Sequence, residues 1–182
     1  MFSSLIDVME GHKIALGLIL VLISSGCAEM TGEATSSPGF ENLVLDVNSV
    51  ERVTGAEYSS TSGNNLSDSF VNVSSMVKSV ESFFTQDSNL SDAPDSVKSM
   101  VVALNSSSNE SLVNMDQDEI VDIDGYEARK LNSTNRTILY SENDNNISFA
   151  VETKGGEGFY SSARELYREI AERVEKFKSN SS

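Results

Sequence analysis

The chain has 182 residues and is strongly acidic, with 13 basic and 28 acidic residues and a formal net charge of −15. It contains one histidine, His12, one cysteine, Cys27, and no tryptophan. Because both residues lie near the N-terminus, the rest of the chain excludes a histidine-based triad, a Cys–His dyad, a Cys/His zinc site and an internal disulfide. The excess of carboxylates repels phosphate backbones, so we expect no nucleic-acid partner.

The first predicted element is a signal peptide over residues 1–26. Residues 14–23 (IALGLILVLI) form an apolar run that is shorter than the ~20 residues a membrane span needs. This length is typical of the hydrophobic region of a signal peptide. His12 and Lys13 precede the run, and Ser24-Ser25-Gly26-Cys27 follows it. A start at Met9 instead of Met1 gives a more ordinary signal peptide, and the sequence leaves both starts open.

Small residues between an apolar run and Cys27 resemble the lipobox of archaeal or bacterial lipoproteins, although Ser24 stands where Leu or Val is usual. The resemblance implies that a peptidase cleaves before Cys27 and that the thiol of Cys27 carries a lipid. A two-chain lipid holds a protein at a membrane more firmly than one chain does. We therefore expect an extracytoplasmic protein anchored through Cys27 to the outer face of the cell membrane. An uncleaved short anchor and a plain secretory signal with an incidental cysteine are the alternatives.

The domain organisation that we predict has four parts. After the signal peptide, residues 27–39 form a lipid-anchored flexible linker, because residues 28–38 are small and polar and show no periodicity. Residues 40–178 form a single α+β domain, and residues 179–182 form a disordered tail. A chain of this length can bury enough surface for one core. The Ser/Asn/Gly-rich stretch 59–69 is interpreted as a loop.

The N-terminal half of the domain has a less definite pattern than the C-terminal half. Residues 40–53 fit either a helix or two short strands. Residues 73–84 predict a helix, because their apolar side chains repeat at helical spacing. Pro94 predicts a second helix over residues 95–104, since proline suits a first turn. The MVVAL core of that segment fits a buried strand equally well.

The C-terminal third predicts an antiparallel meander. Residues 120–123 form a strand, Asp124-Gly125 is a strong signal for a two-residue hairpin turn, and residues 126–131 form the return strand. A turn at 132–135, a strand at 137–141, a turn at 142–146 and a strand at 147–153 follow. In that last strand, Ile147, Phe149 and Val151 alternate with polar residues, which indicates that one face is buried.

A C-terminal amphipathic helix is predicted to begin near Ser162, where Ser162 and Glu165 match a capping box. Its polar face carries the i,i+4 pairs Glu169–Arg173 and Glu172–Lys176. Its apolar face is expected to pack on the sheet and contains Ala163, Leu166, Tyr167, Ile170, Ala171, Val174 and Phe177. The fold class is therefore α+β, with an antiparallel sheet, this helix and further helices in the N-terminal half.

The run IVDIDGYEARKL, followed by two strands and a terminal amphipathic helix, is similar to the back half of PsbP-like domains over about residues 112–178. The resemblance implies a compact α/β sandwich. It also implies a binding or assembly factor for a membrane complex rather than an enzyme.

Asn-X-Ser/Thr sequons occur more often than the roughly three that this composition gives by chance. Hydrophilic glycans on these sites would suit the surface loops of an exported protein. The alternative is that an Asn/Ser-rich surface makes sequons by composition alone. The candidate sites are Asn65, Asn72, Asn89, Asn105, Asn109, Asn132, Asn135 and Asn146, and Asn180 also begins a sequon.

The densest acidic run contains Asp116, Asp118, Glu119, Asp122 and Asp124. Carboxylates at such spacing attract Ca²⁺, but an EF-hand counted from Asp116 has Ile120 at the acidic fifth position. We interpret the run as a solvated acidic edge and expect no metal and no cofactor. The stretch at 155–158 lacks the Gly-Lys-Ser/Thr ending of a phosphate loop and is interpreted as a flexible connection between strand and helix.

Three functions remain open at this point. The leading hypothesis is a non-catalytic, lipid-anchored module that binds or organises envelope components, and the second is a PsbP-like accessory to a membrane complex. The third is a small hydrolase that uses carboxylates, for which no catalytic residue is identified. The sequence leaves the partner and the oligomeric state undetermined.

Overall fold

The structure is a computed structural model that describes residues 39–61, 76–105, 118–142, 146–155 and 159–181. Every described residue belongs to one of the two units into which the chain divides, Ser37–Ser182. The predicted signal peptide and Cys27 therefore lie outside the described residues. None of the helices in the described ranges combines the length and the apolar character that a membrane span requires.

In the described residues, helices lie at the two ends of the domain and all the strands follow one another between them. A short 3₁₀ helix, Phe40–Asn42, precedes helix α1, Val47–Thr54. The long helix α2, Tyr160–Ser181, comes last. Between them lie strands β1 Tyr58–Ser60, β2 Met76–Gln86, β3 Ser96–Leu104, β4 Glu119–Ile123, β5 Tyr126–Ser133, β6 Arg136–Tyr140 and β7 Ile147–Lys154. The α+β class predicted from the sequence is confirmed.

The strands form one seven-stranded antiparallel sheet in the order β1-β2-β3-β7-β6-β5-β4. Two meanders, β1–β3 and β4–β7, are joined because β3 pairs with β7. That pairing runs from Ser96 opposite Lys154 to Ala103 opposite Ile147. The last strand of each meander therefore lies at the centre of the sheet, where both of its edges are hydrogen-bonded.

Both helices predicted between residues 73 and 104 are wrong. The segment 73–84 contributes to β2, and the segment 95–104 becomes β3, so the alternative of a buried MVVAL strand is confirmed. Nearly every residue of β3 is buried, so both faces of the strand are covered. A strand buried on both faces reads as a continuous apolar run and lacks the alternation that identifies a strand.

The predicted C-terminal meander is present, with strand ends shifted by one or two residues. Asp124 and Gly125 adopt φ values of 54° and 95°, as the two-residue turn requires. The prediction that β7 buries a single face is wrong, because Ser148 and Glu152 are only 1% and 2% exposed. The reason is the central position of β7, which gives it buried neighbours on both faces of the sheet.

Helix α2 begins at Tyr160, two residues before the predicted start. Ser162 is therefore the third helical residue and not the N-cap, which makes the predicted capping box wrong. The helix continues to Ser181, so residues 179–181 are helical where a disordered tail was expected. Its fully buried side chains are Ala163, Leu166, Tyr167, Ile170, Ala171 and Val174.

The sheet has two apolar faces. The first face, which includes Val101, Leu139 and Val151, shares one cluster with the buried residues of both helices. The second face is a separate cluster in which the described members are strand residues, namely Met100, Val102, Leu104, Ile138, Tyr140 and Ala150. One-sided antiparallel sheets usually present polar side chains opposite their helices, and this sheet departs from that rule.

Candidate functional site

The first described residues of the unit Ser37–Ser182 are packed against the rest of it. Phe40 lies edge-on to Phe177 of α2 with ring centroids 6.2 Å apart. The Lys78 ammonium lies 4.9 Å from the centre of the Phe40 ring. Leu43 and Leu45 are buried in the first-face cluster. The first described residues therefore pack against α2.

Arg173 of α2 binds this entry segment through its whole guanidinium group. One nitrogen donates to the carbonyl oxygens of Val44 and, at 3.4 Å, of Asn42. The other donates to Asp46 Oδ2 at 2.8 Å and to Ser49 Oγ at 2.9 Å. A planar fork with several fixed donors suits arginine and not lysine. These contacts join the first and last elements of the domain.

Glu169 completes the network on the other side of Ser49. Its carboxylate accepts from the Ser49 hydroxyl at 2.6 Å, from Arg52 at 2.6 Å and from Arg173 at 2.7 Å. Asp46 caps α1 by accepting from the Ser49 amide at 2.9 Å, which satisfies a backbone donor at the helix start. We call these five residues, Asp46, Ser49, Arg52, Glu169 and Arg173, the Arg173 clasp.

The sequence identified only one contact of the Arg173 clasp, the i,i+4 pair Glu169–Arg173. It missed Asp46, Ser49 and Arg52 because these residues lie more than 110 positions away along the chain. The one local signal was Asp46 followed three residues later by Ser49, at the start of a short helix. Glu172, predicted to pair with Lys176, lies 3.6 Å from Arg168 instead.

Acid is expected to weaken the Arg173 clasp. Burial raises the pKa of Asp46, but hydrogen bonds from Arg173 and Ser49 outweigh it and lower the pKa overall. Burial likewise raises the pKa of Glu169, and Ser49, Arg52 and Arg173 outweigh it. Groups with lowered pKa values stabilise the fold above their unfolded pKa values of about 4 and lose that contribution as pH falls through the folded values. Urea unfolding should show a falling free energy of unfolding below about pH 4.5.

Arg173→Met serves as the control for the acid prediction. Without the guanidinium, the pKa values of Asp46 and Glu169 lie closer to their unfolded values, so the variant should lose less stability than wild type over the same acidic range. An equal loss in both proteins would show that the acid sensitivity arises elsewhere, for example at Asp118, whose pKa is also lowered through its hydrogen bond from Tyr140.

A small polar cavity lies where the β4–β5 turn meets α2. It has a volume of about 200 Å³ and is lined by Asp124, Ser161, Arg164, Glu165 and Arg168. Arg164 and Arg168 lie one helical turn apart and donate to the two oxygens of Asp124 at 3.0 and 3.1 Å. The bonds hold the hairpin turn against the helix. The lining contains two arginines and two carboxylates, so positive and negative side chains are present in equal number.

The predicted acidic run is spread over several ion pairs. Asp116 lies outside the described residues. Asp118 accepts from Arg129 at 3.0 and 3.1 Å and from the Tyr140 hydroxyl, and Glu119 lies 3.2 Å from Lys130. Among the described residues, no three Asp, Glu, Cys or His side chains are grouped to hold a metal ion. Asp118 is thus a largely buried partner and not part of a solvated edge, whereas Glu119 is largely exposed.

Charged side chains are also buried on the second face. Lys98 Nζ lies 3.4 Å from Glu81, and Glu152 Oε1 lies 3.5 Å from Lys154 and 3.8 Å from Arg136. Sequence alternation placed Glu152 on the solvent side, and it missed Lys98 altogether. Buried pairs contribute little net stability but favour one register, because a slip would leave charges buried without partners.

The candidate glycosylation sites divide into two groups. Asn65, Asn72 and Asn109 lie outside the described residues. The other five sites are described and exposed, namely Asn89, Asn105, Asn132, Asn135 and Asn146. All five lie at strand ends or in connections.

A comparison with models of protein families finds no family that matches the chain, and a comparison with curated proteins finds no similar sequence.

Proposed function

We propose that the protein is a lipid-anchored module on the outer face of the cell membrane, held through Cys27, whose α+β domain binds or organises envelope components without catalysis. The observation that carries the proposal is the Arg173 clasp. The segment that directly follows the predicted linker is bound to the C-terminal helix through main-chain carbonyls and through the Asp46 and Ser49 side chains.

A tethered domain experiences any pull on its anchor at the point where the linker enters. Here that point is Gly39, followed at once by Phe40 against Phe177 and by the carbonyls that Arg173 binds. A pull is therefore passed to α2, whose buried residues belong to the first-face cluster.

The accessory function is the second candidate, and the order of the C-terminal elements favours it. A hairpin, two further strands and a terminal helix follow one another, as the resemblance to PsbP-like domains implies. In this proposal α2 closes the first face as an amphipathic helix. The exposed large apolar residues among those described, Val77, Leu90 and Ile120, lie on different elements. Because an accessory surface needs a contiguous apolar patch, we rank this function second.

The anchor is tested by detergent phase partitioning and intact mass of the full chain, expressed in a host that lipidates exported proteins. Wild type should enter the detergent phase with the mass of residues 27–182 plus lipid. Cys27→Ser should lose the lipid mass and move to the aqueous phase or keep its N-terminal segment, because only a thiol forms the thioether. Ser24→Leu, which restores the usual lipobox residue, is the matched control and should partition like wild type.

Two results would overturn the proposal. If wild type and Cys27→Ser each have the mass of their own full, unlipidated chain and both enter the detergent phase, the segment is an uncleaved anchor. If both are cleaved and aqueous, the protein is secreted freely and Cys27 is incidental.

A further inference from the structure

The sequons of the described chain differ in how much of the motif the fold leaves exposed. In N-glycosylation, the side-chain amide nitrogen bonds to the anomeric carbon of a lipid-phosphate-linked oligosaccharide. The bond from that carbon to the phosphate oxygen breaks, the lipid phosphate leaves, and the amide loses one proton. Since the motif includes the hydroxyl two residues after the asparagine, a transferase must reach both groups.

The sequon at Asn146 is blocked by the sheet. Its hydroxyl belongs to Ser148, which is 1% exposed and lies opposite Val102 in the β3–β7 pairing. Ile147, between them, is also buried. The Asn146 carbonyl accepts from the Leu104 amide at 2.8 Å. Exposure of the Asn146 side chain alone therefore does not make this sequon available on the folded domain.

The adjacent sequons at Asn132 and Asn135 are joined to each other by a hydrogen bond. Asn132 Oδ1 accepts from the hydroxyl of Thr137 at 3.3 Å, and Thr137 is the hydroxyl residue of the Asn135 sequon. The two residues face one another across β5 and β6. The Asn135 carbonyl also accepts from Gly155. Each of these two sequons thus has one of the side chains that the transferase must reach held in a hydrogen bond. Ser107 of the Asn105 sequon lies outside the described residues.

The sequon at Asn89 differs from all of these. Asn89, Leu90 and Ser91 are all exposed, and they lie in the connection between β2 and β3 and not in a strand. The Gln86 side chain binds the Leu90 amide and carbonyl, each at 3.2 Å. Those bonds hold the base of the loop through the main chain of Leu90, and both residues that the transferase must reach, Asn89 and Ser91, are exposed.

We propose that Asn89 is an N-glycosylation site that the folded domain presents, and that Asn146 stays unmodified on the folded chain. The inference rests on the export that the proposed function requires. The inference adds a surface feature to the proposed module, namely a glycan at the connection between β2 and β3.

The test uses the full chain in a host that N-glycosylates exported proteins, with site occupancy read by peptide mass spectrometry and intact mass. Wild type should carry a glycan on the Asn89 peptide. Asn89→Gln and Ser91→Ala should each lose one glycan mass, the second without altering the asparagine. Asn146→Gln is the matched control and should keep the wild-type glycan mass.

Anchoring is measured on the same preparations from the mass of the N-terminal peptide. An exported, lipidated chain with a bare Asn89 overturns this inference alone. Occupancy of Asn146 equal to that of Asn89 also overturns it, since that pattern means transfer before folding. A chain that keeps its full N-terminus and a bare Asn89 overturns both the inference and the proposed function.

Discussion

Replacing Tyr167 with alanine is expected to lower the free energy of unfolding by about 3–5 kcal/mol, the usual cost of removing a large buried ring. Tyr167 is fully buried, and its ring centroid lies 4.9 Å from that of Phe149 on β7. Its hydroxyl donates to the Glu127 carbonyl at 2.9 Å. The side chain therefore connects α2 to two strands, and its loss leaves a cavity that the surrounding sheet cannot close. Urea unfolding in mild detergent, followed by circular dichroism, measures the change.

Tyr167→Phe separates the ring from the hydroxyl. The ring stays, so only the bond to Glu127 is lost, and the expected cost is about 1 kcal/mol. If Tyr167→Ala costs no more than Tyr167→Phe, the ring does not pack as described and the position of α2 on the sheet would have to be revised.

Arg173→Met is expected to cost about 2–3 kcal/mol, the range for hydrogen bonds that involve a charged group. Methionine keeps much of the side-chain volume but leaves the Val44 carbonyl and the carboxylates of Asp46 and Glu169 without their shared donor. The side chains of Arg173 and Glu169 are 24% and 19% exposed, so water replaces the lost bonds only in part. The same urea titration measures the loss.

Arg173→Lys tests the geometry of the clasp. Lysine keeps the positive charge but lacks the planar fork, so its stability should lie between those of wild type and Arg173→Met. Lys176→Met, on the exposed side of the same helix, is the control and should stay within about 0.5 kcal/mol of wild type. A value for Arg173→Met inside that same margin would contradict the role given to the clasp.

The part of the fold that could be predicted from sequence is the part governed by local chemistry. Asp124-Gly125 adopts positive φ at both positions because the two-residue turn leaves no other choice. The strands on either side of this turn are then predicted from short-range sequence patterns. The long helix after residue 158 is predicted in the same way. These features depend on residues within a few positions of one another.

The segments at 73–84 and 95–104 were mispredicted because their pattern is ambiguous without neighbours. Val97, Met100, Val101 and Val102 are all buried, so β3 shows an apolar run that a buried helix would show as well. The segment is a strand because β7, some 50 residues later, pairs with it and satisfies the backbone groups of β3 on its second edge.

The candidate site shows the same division. Four features can be read directly from the sequence, namely no histidine after His12, no cysteine after Cys27, an excess of carboxylates and the positions of the sequons. The folded contacts set which carboxylates Arg173 binds and which sequon hydroxyl is covered by a neighbouring strand. Composition and turns depend on the residues themselves, whereas ion pairs and burial depend on contacts between segments that sequence spacing does not relate.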